Sequence, residues 1–88
     1  MIIKFADHKQ AQAHMEITGN VIALYSYTTR VAEIREGWLT IFGLYSMTTR
    51  RHISWFMREI GKFDYQLAKQ LYEDGKKMNI YTGEVLDV

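Results

Sequence analysis

This chain has no cysteine and no proline among its 88 residues. The first absence excludes disulfides and thiolate chemistry and fits a reducing compartment. The second means that no strong breaker interrupts an element read from the pattern. Glycine is sparse, six residues scattered at turns, so there is no glycine-rich phosphate loop. The histidines at 8, 14 and 52 have no cysteine partner and no His-x-x-x-His spacing, so no metal and no cofactor is expected. His14 and Glu16, two apart, do not face each other on a helix. Ser26, Ser46 and Ser54 lack a nucleophile-elbow context, and no carboxylate pair stands out, so no catalytic residue is expected. No apolar run approaches the roughly 18 residues of a membrane span, and the stretch 1–7 is too short for a signal peptide. We therefore expect a cytoplasmic protein that does not contact membrane.

What is present is apolar and aromatic. The chain is 48% hydrophobic and 14% aromatic, which argues against disorder. Its length fits one domain spanning 1–88, a size that buries only about 60–65% of its unfolded surface and is marginal alone. The apolar content exceeds what one small core needs, so a partner or a homodimer is expected. The net charge of +1 is unevenly spread. Residues 1–46 balance, residues 63–88 are acidic, and the stretch between carries Arg50, Arg51, Arg58 and Lys62 against Glu59 alone.

The pattern predicts a small α+β domain in the order β-α-β-β-β-α-α-(β), helices on one face of an antiparallel sheet. A strand is expected over 1–6. Asp7 and Gln10 resemble a capping box, predicting a helix from His8 to Ile17 that stops at Gly19. Val21 to Tyr27, Val31 to Arg35 and Trp38 to Tyr45 read as a three-stranded meander, with Glu36-Gly37 as a tight turn. The run Trp38 to Phe42 is apolar on both faces, which suits a central or covered strand. Gly43 marks a bulge or a close approach. Ser46 or Thr48 then caps the main helix, whose apolar face is Ile53, Phe56, Met57 and Ile60, and which Gly61 ends. Asp64 caps a second helix, Tyr65 to Asp74, ended by Gly75. Met78 to Thr82 is a possible edge strand, and 83–88 a loose tail.

One seven-residue word occurs twice, Leu24-Tyr25-Ser26-Tyr27-Thr28-Thr29-Arg30 and Leu44-Tyr45-Ser46-Met47-Thr48-Thr49-Arg50, differing only at Tyr27 against Met47. In one reading these are edge-to-turn segments whose hydroxyls cap backbone groups. In the other, Tyr25, Tyr45, Arg30 and Arg50 line a shared surface, and the two arginines form an acceptor for carboxylate or phosphate. Ser46, Thr48 and Thr49 at a helix start also suit an anion, although N-capping uses the same residues.

A second constellation lies on the main helix. At about 100° per residue, Arg51, Trp55, Arg58 and Lys62 fall together, opposite Ile53, Phe56, Met57 and Ile60. Trp and Arg are the residue types most enriched at binding hot spots, and cations around an aromatic also suit nucleic-acid phosphates and bases. The structural alternative is that Trp55 packs under the following helix or the C-terminal tail, with the arginines snorkelling around it. Trp38 is a second candidate contact.

The runs Ser26-Tyr27-x-Thr29-x-Val31-Ala32 and Tyr45-Ser46-x-Thr48-Thr49-x-x-His52 resemble a pattern found in small uncharacterised proteins of bacteriophages and prophages. The resemblance covers roughly residues 20–58 and maps no catalytic residue. It implies a phage-encoded accessory protein, many of which bind host machinery, including defence nucleoproteins. The expectation is a non-enzymatic protein that inhibits or redirects a host protein, anti-CRISPR-like in style. A DNA mimic is disfavoured at a charge of +1. The alternatives are a small nucleic-acid-binding regulator using Arg50, Arg51, Arg58 and Lys62, and a homo-oligomeric structural protein.

Overall fold

The computed structural model describes residues 2–4 and 12–88. Its elements are β1 (Ile2–Lys4), β2 (Ala13–Thr18), β3 (Val21–Ser26), β4 (Thr29–Arg35), β5 (Trp38–Ile41), α1 (Met47–Gly61), α2 (Tyr65–Asp74), β6 (Lys76–Asn79) and β7 (Val85–Asp87). The seven strands form one sheet in sequence order, and every neighbouring pair is antiparallel. The two helices are inserted between β5 and β6 and cover one face, which makes the domain α+β.

The expected helix over His8–Ile17 does not form where the chain is described. Ala13–Thr18 is a strand, and His8–Ala11 lie outside the described residues. Ala13, Met15 and Ile17 alternate with His14, Glu16 and Thr18, a period of two that fits the pleat. Gly19, read as a helix stop, instead begins the two-residue turn into β3, at φ 57°. On a strand, residues two apart share a face, and His14 Nε2 lies 3.6 Å from Glu16 Oε2.

Register decides which side chains enter the core. Met15 pairs with Leu24, Leu24 with Ala32, Ile34 with Leu39, and Leu39 with Met78, so these residues line one face. Between Leu24 and Tyr25 the β3–β4 register shifts. Leu24 faces Ala32 and Tyr25 faces Arg30, which leaves Val31 as the extra residue of a bulge. Both Val31 and Ala32 are fully buried. The helices supply Ile53, Phe56, Met57, Ala68 and Leu71 to the same core. Each large side chain so buried contributes about 1.5–3 kcal/mol of transfer free energy.

The turns and caps follow local chemistry. Glu36 and Gly37 both have positive φ, the primed hairpin geometry that joins twisted strands. β5 stops at Ile41, short of the expected Tyr45. Gly43 marks a close approach, since a β-carbon there would run into the Tyr45 ring. Ser46 caps α1 by accepting from the Thr49 N–H at 3.1 Å, and Asp64 caps α2 by accepting from Leu67 N–H, also at 3.1 Å. The left-handed residue that ends α1 is Lys62, not Gly61. Gly61 remains helical, and a side chain there would meet the Phe63 ring.

Two further expectations change at the C-terminal end. The predicted edge strand begins earlier, at Lys76, and is not an edge, because β7 pairs beyond it. The stretch 83–88, expected to be loose, contains β7, tied to β6 in part by the Lys76–Asp87 ion pair. Trp38 lies on the face away from the helices, half-buried, with the Lys77 ammonium 5.4 Å from its ring centroid.

Candidate functional site

The two copies of the repeated word end at the same place. In the first, Leu24 enters the core, Tyr25 turns to the open sheet face and Ser26 points back toward α1. In the second, Leu44 packs against the core, Tyr45 is exposed and Ser46 caps α1. The third positions then converge on one hydroxyl. Ser26 Oγ and Ser46 Oγ lie 3.3 Å and 3.2 Å from Thr49 Oγ1. Ser26 Oγ also lies 2.8 Å from His52 Nδ1. The result is a chain Ser46–Thr49–Ser26–His52 that runs from the surface into the core.

This chain satisfies groups that water does not reach. Ser26 is 3% exposed, Thr49 5% and His52 2%. With the ring proton on Nε2, Nδ1 accepts from Ser26, Ser26 from Thr49, and Thr49 from Ser46. Reversing the hydroxyls serves the other tautomer equally well. Burial, and then the nearby Arg51 charge, hold the His52 pKa below its ordinary value, so the ring is neutral at pH 7. A serine hydrogen-bonded to histidine is also a nucleophile's arrangement, but the near-complete burial of both leaves no approach for a substrate. The arrangement instead joins the end of β3 to the first turns of α1.

The His52 ring stands between two aromatics. Tyr27 lies 6.0 Å away by ring centroids and Trp55 5.2 Å. Trp55 is therefore half-buried on the flank of α1, packed against the core, rather than fully outward as its spacing suggested. Arg51, Arg58 and Lys62 are exposed as expected. Met47 falls on the same stripe, one helical turn before Arg51, and is 74% exposed. Its counterpart in the first word, Tyr27, is 54% exposed at the β3–β4 turn. The one position at which the words differ thus presents a large apolar side chain to solvent in both.

The remaining candidate residues are committed elsewhere. Arg30 lies on the open sheet face, donating to Tyr25 Oη at 3.1 Å and to Glu33 at 3.3 Å. Arg50, on α1, has its Nε 3.4 Å from the Leu44 carbonyl. The two arginines therefore occupy different layers and do not form a two-pronged acceptor. Ser46 and Thr49, two of the three hydroxyls expected with Thr48 to suit an anion, are engaged in the cap and the buried chain.

Charge is distributed unevenly over the surface. Glu33 pairs with Arg30 and Arg35, Lys69 with Glu73, and Lys76 with Asp87. Among the described residues, Arg51, Arg58 and Lys62 form no ion pair. The stripe Met47, Arg51, Trp55, Arg58, Lys62 thus interleaves an exposed methionine and a half-buried tryptophan with three exposed cations along the length of α1. The exposed Glu59 is the acidic residue on this helix.

Sequence reading missed Ser26, Tyr27, Met47 and His52. A signal for His52 existed: Thr49, His52, Ile53 and Phe56 share the sheet-facing side of α1 by helical spacing. Nothing in the spacing indicated that Ser26 would meet it. Among the described residues there is no metal-binding cluster of His, Cys, Asp and Glu, and no helix is long and apolar enough to cross a membrane.

No curated protein and no solved structure matches the chain. Residues 4–77 match the model of a family of unknown function, DUF8033, and the chain belongs to that family.

Proposed function

We propose that this chain is a non-enzymatic accessory protein of phage type that binds a host protein in the cytoplasm and inhibits or redirects it. The observation that carries this reading is the α1 stripe. Three cations without ion pairs among the described residues stand beside a half-buried tryptophan and an exposed methionine. Interfaces concentrate their binding energy in such aromatic and arginine anchors. The phage and host parts of the proposal rest on the resemblance of the paired words to phage and prophage proteins.

The test is affinity capture from host lysate with the tagged wild type and with an Arg51→Glu/Arg58→Glu variant, after nuclease treatment. A host protein retained by the first and lost by the second supports the proposal. Equal retention by both removes the stripe from it.

The same three cations favour nucleic acid as the second reading. Neutralising about three phosphates gives a salt slope of roughly −3 on logarithmic axes. Capture that disappears with nuclease would move the weight to this alternative.

A further inference from the structure

We infer that the groove between the β2–β3, β4–β5 and β6–β7 turns binds a small organic ammonium compound, one with an apolar body and a single positive charge. This goes beyond the reading of α1 and stands apart from it, because no residue of either helix lines the groove.

The floor is apolar and the rim is built. Ile17 pairs with Ile22 and Ile22 with Ile34, so three isoleucines stand side by side on the face that carries the core. Ile80, just past β6, joins them. No helix residue closes over this row, which leaves a groove of about 390 Å³, within the range of about 300–1,000 Å³ usual for small-molecule sites. Three turns form its walls and are tied to one another. The Glu36 N–H donates to the Asn20 carbonyl at 3.1 Å, joining the β4–β5 turn to the β2–β3 turn. The Ile80 N–H donates to the Gly37 carbonyl at 2.9 Å, joining the β6–β7 turn to that pair. Asn79 Oδ1 accepts from the Tyr81 and Thr82 N–H groups and fixes the last turn. Gly37 leaves the Tyr81 ring its space, since a β-carbon there would stand 3.1 Å from the ring. Walls held in this way need little ordering when a ligand enters.

Charge selects the ligand. Glu36 lines the groove, is exposed, and forms no ion pair among the described residues. Among those residues no cation lines the groove, and the neighbouring Arg35 turns to the opposite face and pairs with Glu33. The φ of Glu36 is 52°, a turn position that favours asparagine, aspartate or glycine, so the turn itself does not call for a glutamate. The Tyr81 ring, 83% exposed and also lining the groove, is a surface on which a cation can rest. An anion would meet the carboxylate, and a neutral apolar molecule would use the floor alone.

The test uses the full chain with isotope-labelled isoleucine methyls, read by NMR, and three probes of matched size: phenylbutylamine, phenylbutanol and phenylbutyrate. The amine is expected to shift the Ile17, Ile22 and Ile80 methyls saturably, to leave Ile53 on α1 unmoved, and to bind about fivefold tighter than the alcohol, with the carboxylate weakest. Glu36→Gln is expected to keep the affinity for the alcohol and to remove the advantage of the amine. Tyr81→Ala weakens the amine about threefold. Both substitutions fall on exposed side chains, and both variants are expected to melt with their parent. Equal affinity for amine and alcohol, an advantage that survives Glu36→Gln, tightest binding of the carboxylate, shifts confined to other isoleucines, or no saturable shift with any probe would each overturn the inference. A host protein captured by the wild type and lost by Glu36→Gln, with no binding of the amine, would assign the groove to a protein side chain and overturn it as well. None of these outcomes bears on Arg51 and Arg58, whose own test stands separately.

Discussion

Ser26 Oγ and His52 Nδ1 lie 2.8 Å apart, joining the last residue of β3 to the second turn of α1 across 26 residues of sequence. Both side chains are buried, and Ser26, which also contacts Thr49, is the partner of His52 Nδ1. Ser26→Ala leaves the ring nitrogen without its partner and is expected to cost about 1–3 kcal/mol. His52→Ala adds a cavity and is expected to cost about 2–4 kcal/mol. Urea unfolding of both singles and the double gives the coupling. Strictly additive losses would mean that the pair does not act as a unit.

The same histidine makes stability depend on pH. Its folded pKa is lowered by burial and by Arg51, while the unfolded chain protonates near the ordinary value of about 6.5. The unfolded state therefore binds the proton first as pH falls. The contribution of His52 is fully present above about pH 6.5 and is lost as pH drops through the folded value. Unfolding free energies measured from pH 7.5 down to 5.0 should decline in the wild type and decline less in His52→Gln. Parallel curves for the two proteins would contradict this.

The two helix caps are not equivalent. Asp64 accepts one N–H at the start of α2, and its loss should cost about 1 kcal/mol. Ser46 accepts the Thr49 N–H and also contacts the Thr49 hydroxyl, which is 5% exposed. Ser46→Ala should thus cost more than Asp64→Ala, by roughly another 0.5–1.5 kcal/mol. Equal melting temperatures for the two variants would show that the Ser46–Thr49 contact adds nothing.

Gly61 sets helix propensity against packing. Alanine within a helix is better than glycine by about 1 kcal/mol. A methyl at position 61, however, would run into the ring of Phe63, which packs on the core. Overpacking of this kind costs about 1–3 kcal/mol. Gly61→Ala is expected to destabilise the protein, and Phe63→Leu in the Gly61→Ala background to recover part of the loss. A stabilised Gly61→Ala would mean that Phe63 moves aside freely.

The sequence by itself determined the central meander, both helices and the basic character of α1. These depend on neighbours within a turn or a pleat: β-branched and aromatic runs, Glu36-Gly37, the caps Ser46 and Asp64, and the apolar spacing of Ile53, Phe56, Met57 and Ile60. The segment 13–18 was legible in principle through its two-residue alternation. There the weak capping signal of Asp7 and Gln10 competes with a period that only pairing with β1 and β3 makes decisive. Tertiary structure alone decided the rest. A bulge at Val31 turned both Val31 and Ala32 inward and set Tyr25 beside Arg30 on the open face. Chain reversal brought Ser26 to His52, and the packing of α1 drew Trp55 halfway into the core while leaving Met47 in solvent. Contacts between residues 23 and 26 apart, such as Ser26 with Thr49 and His52, leave no local period in a sequence. They exist only once β3 and α1 are packed together.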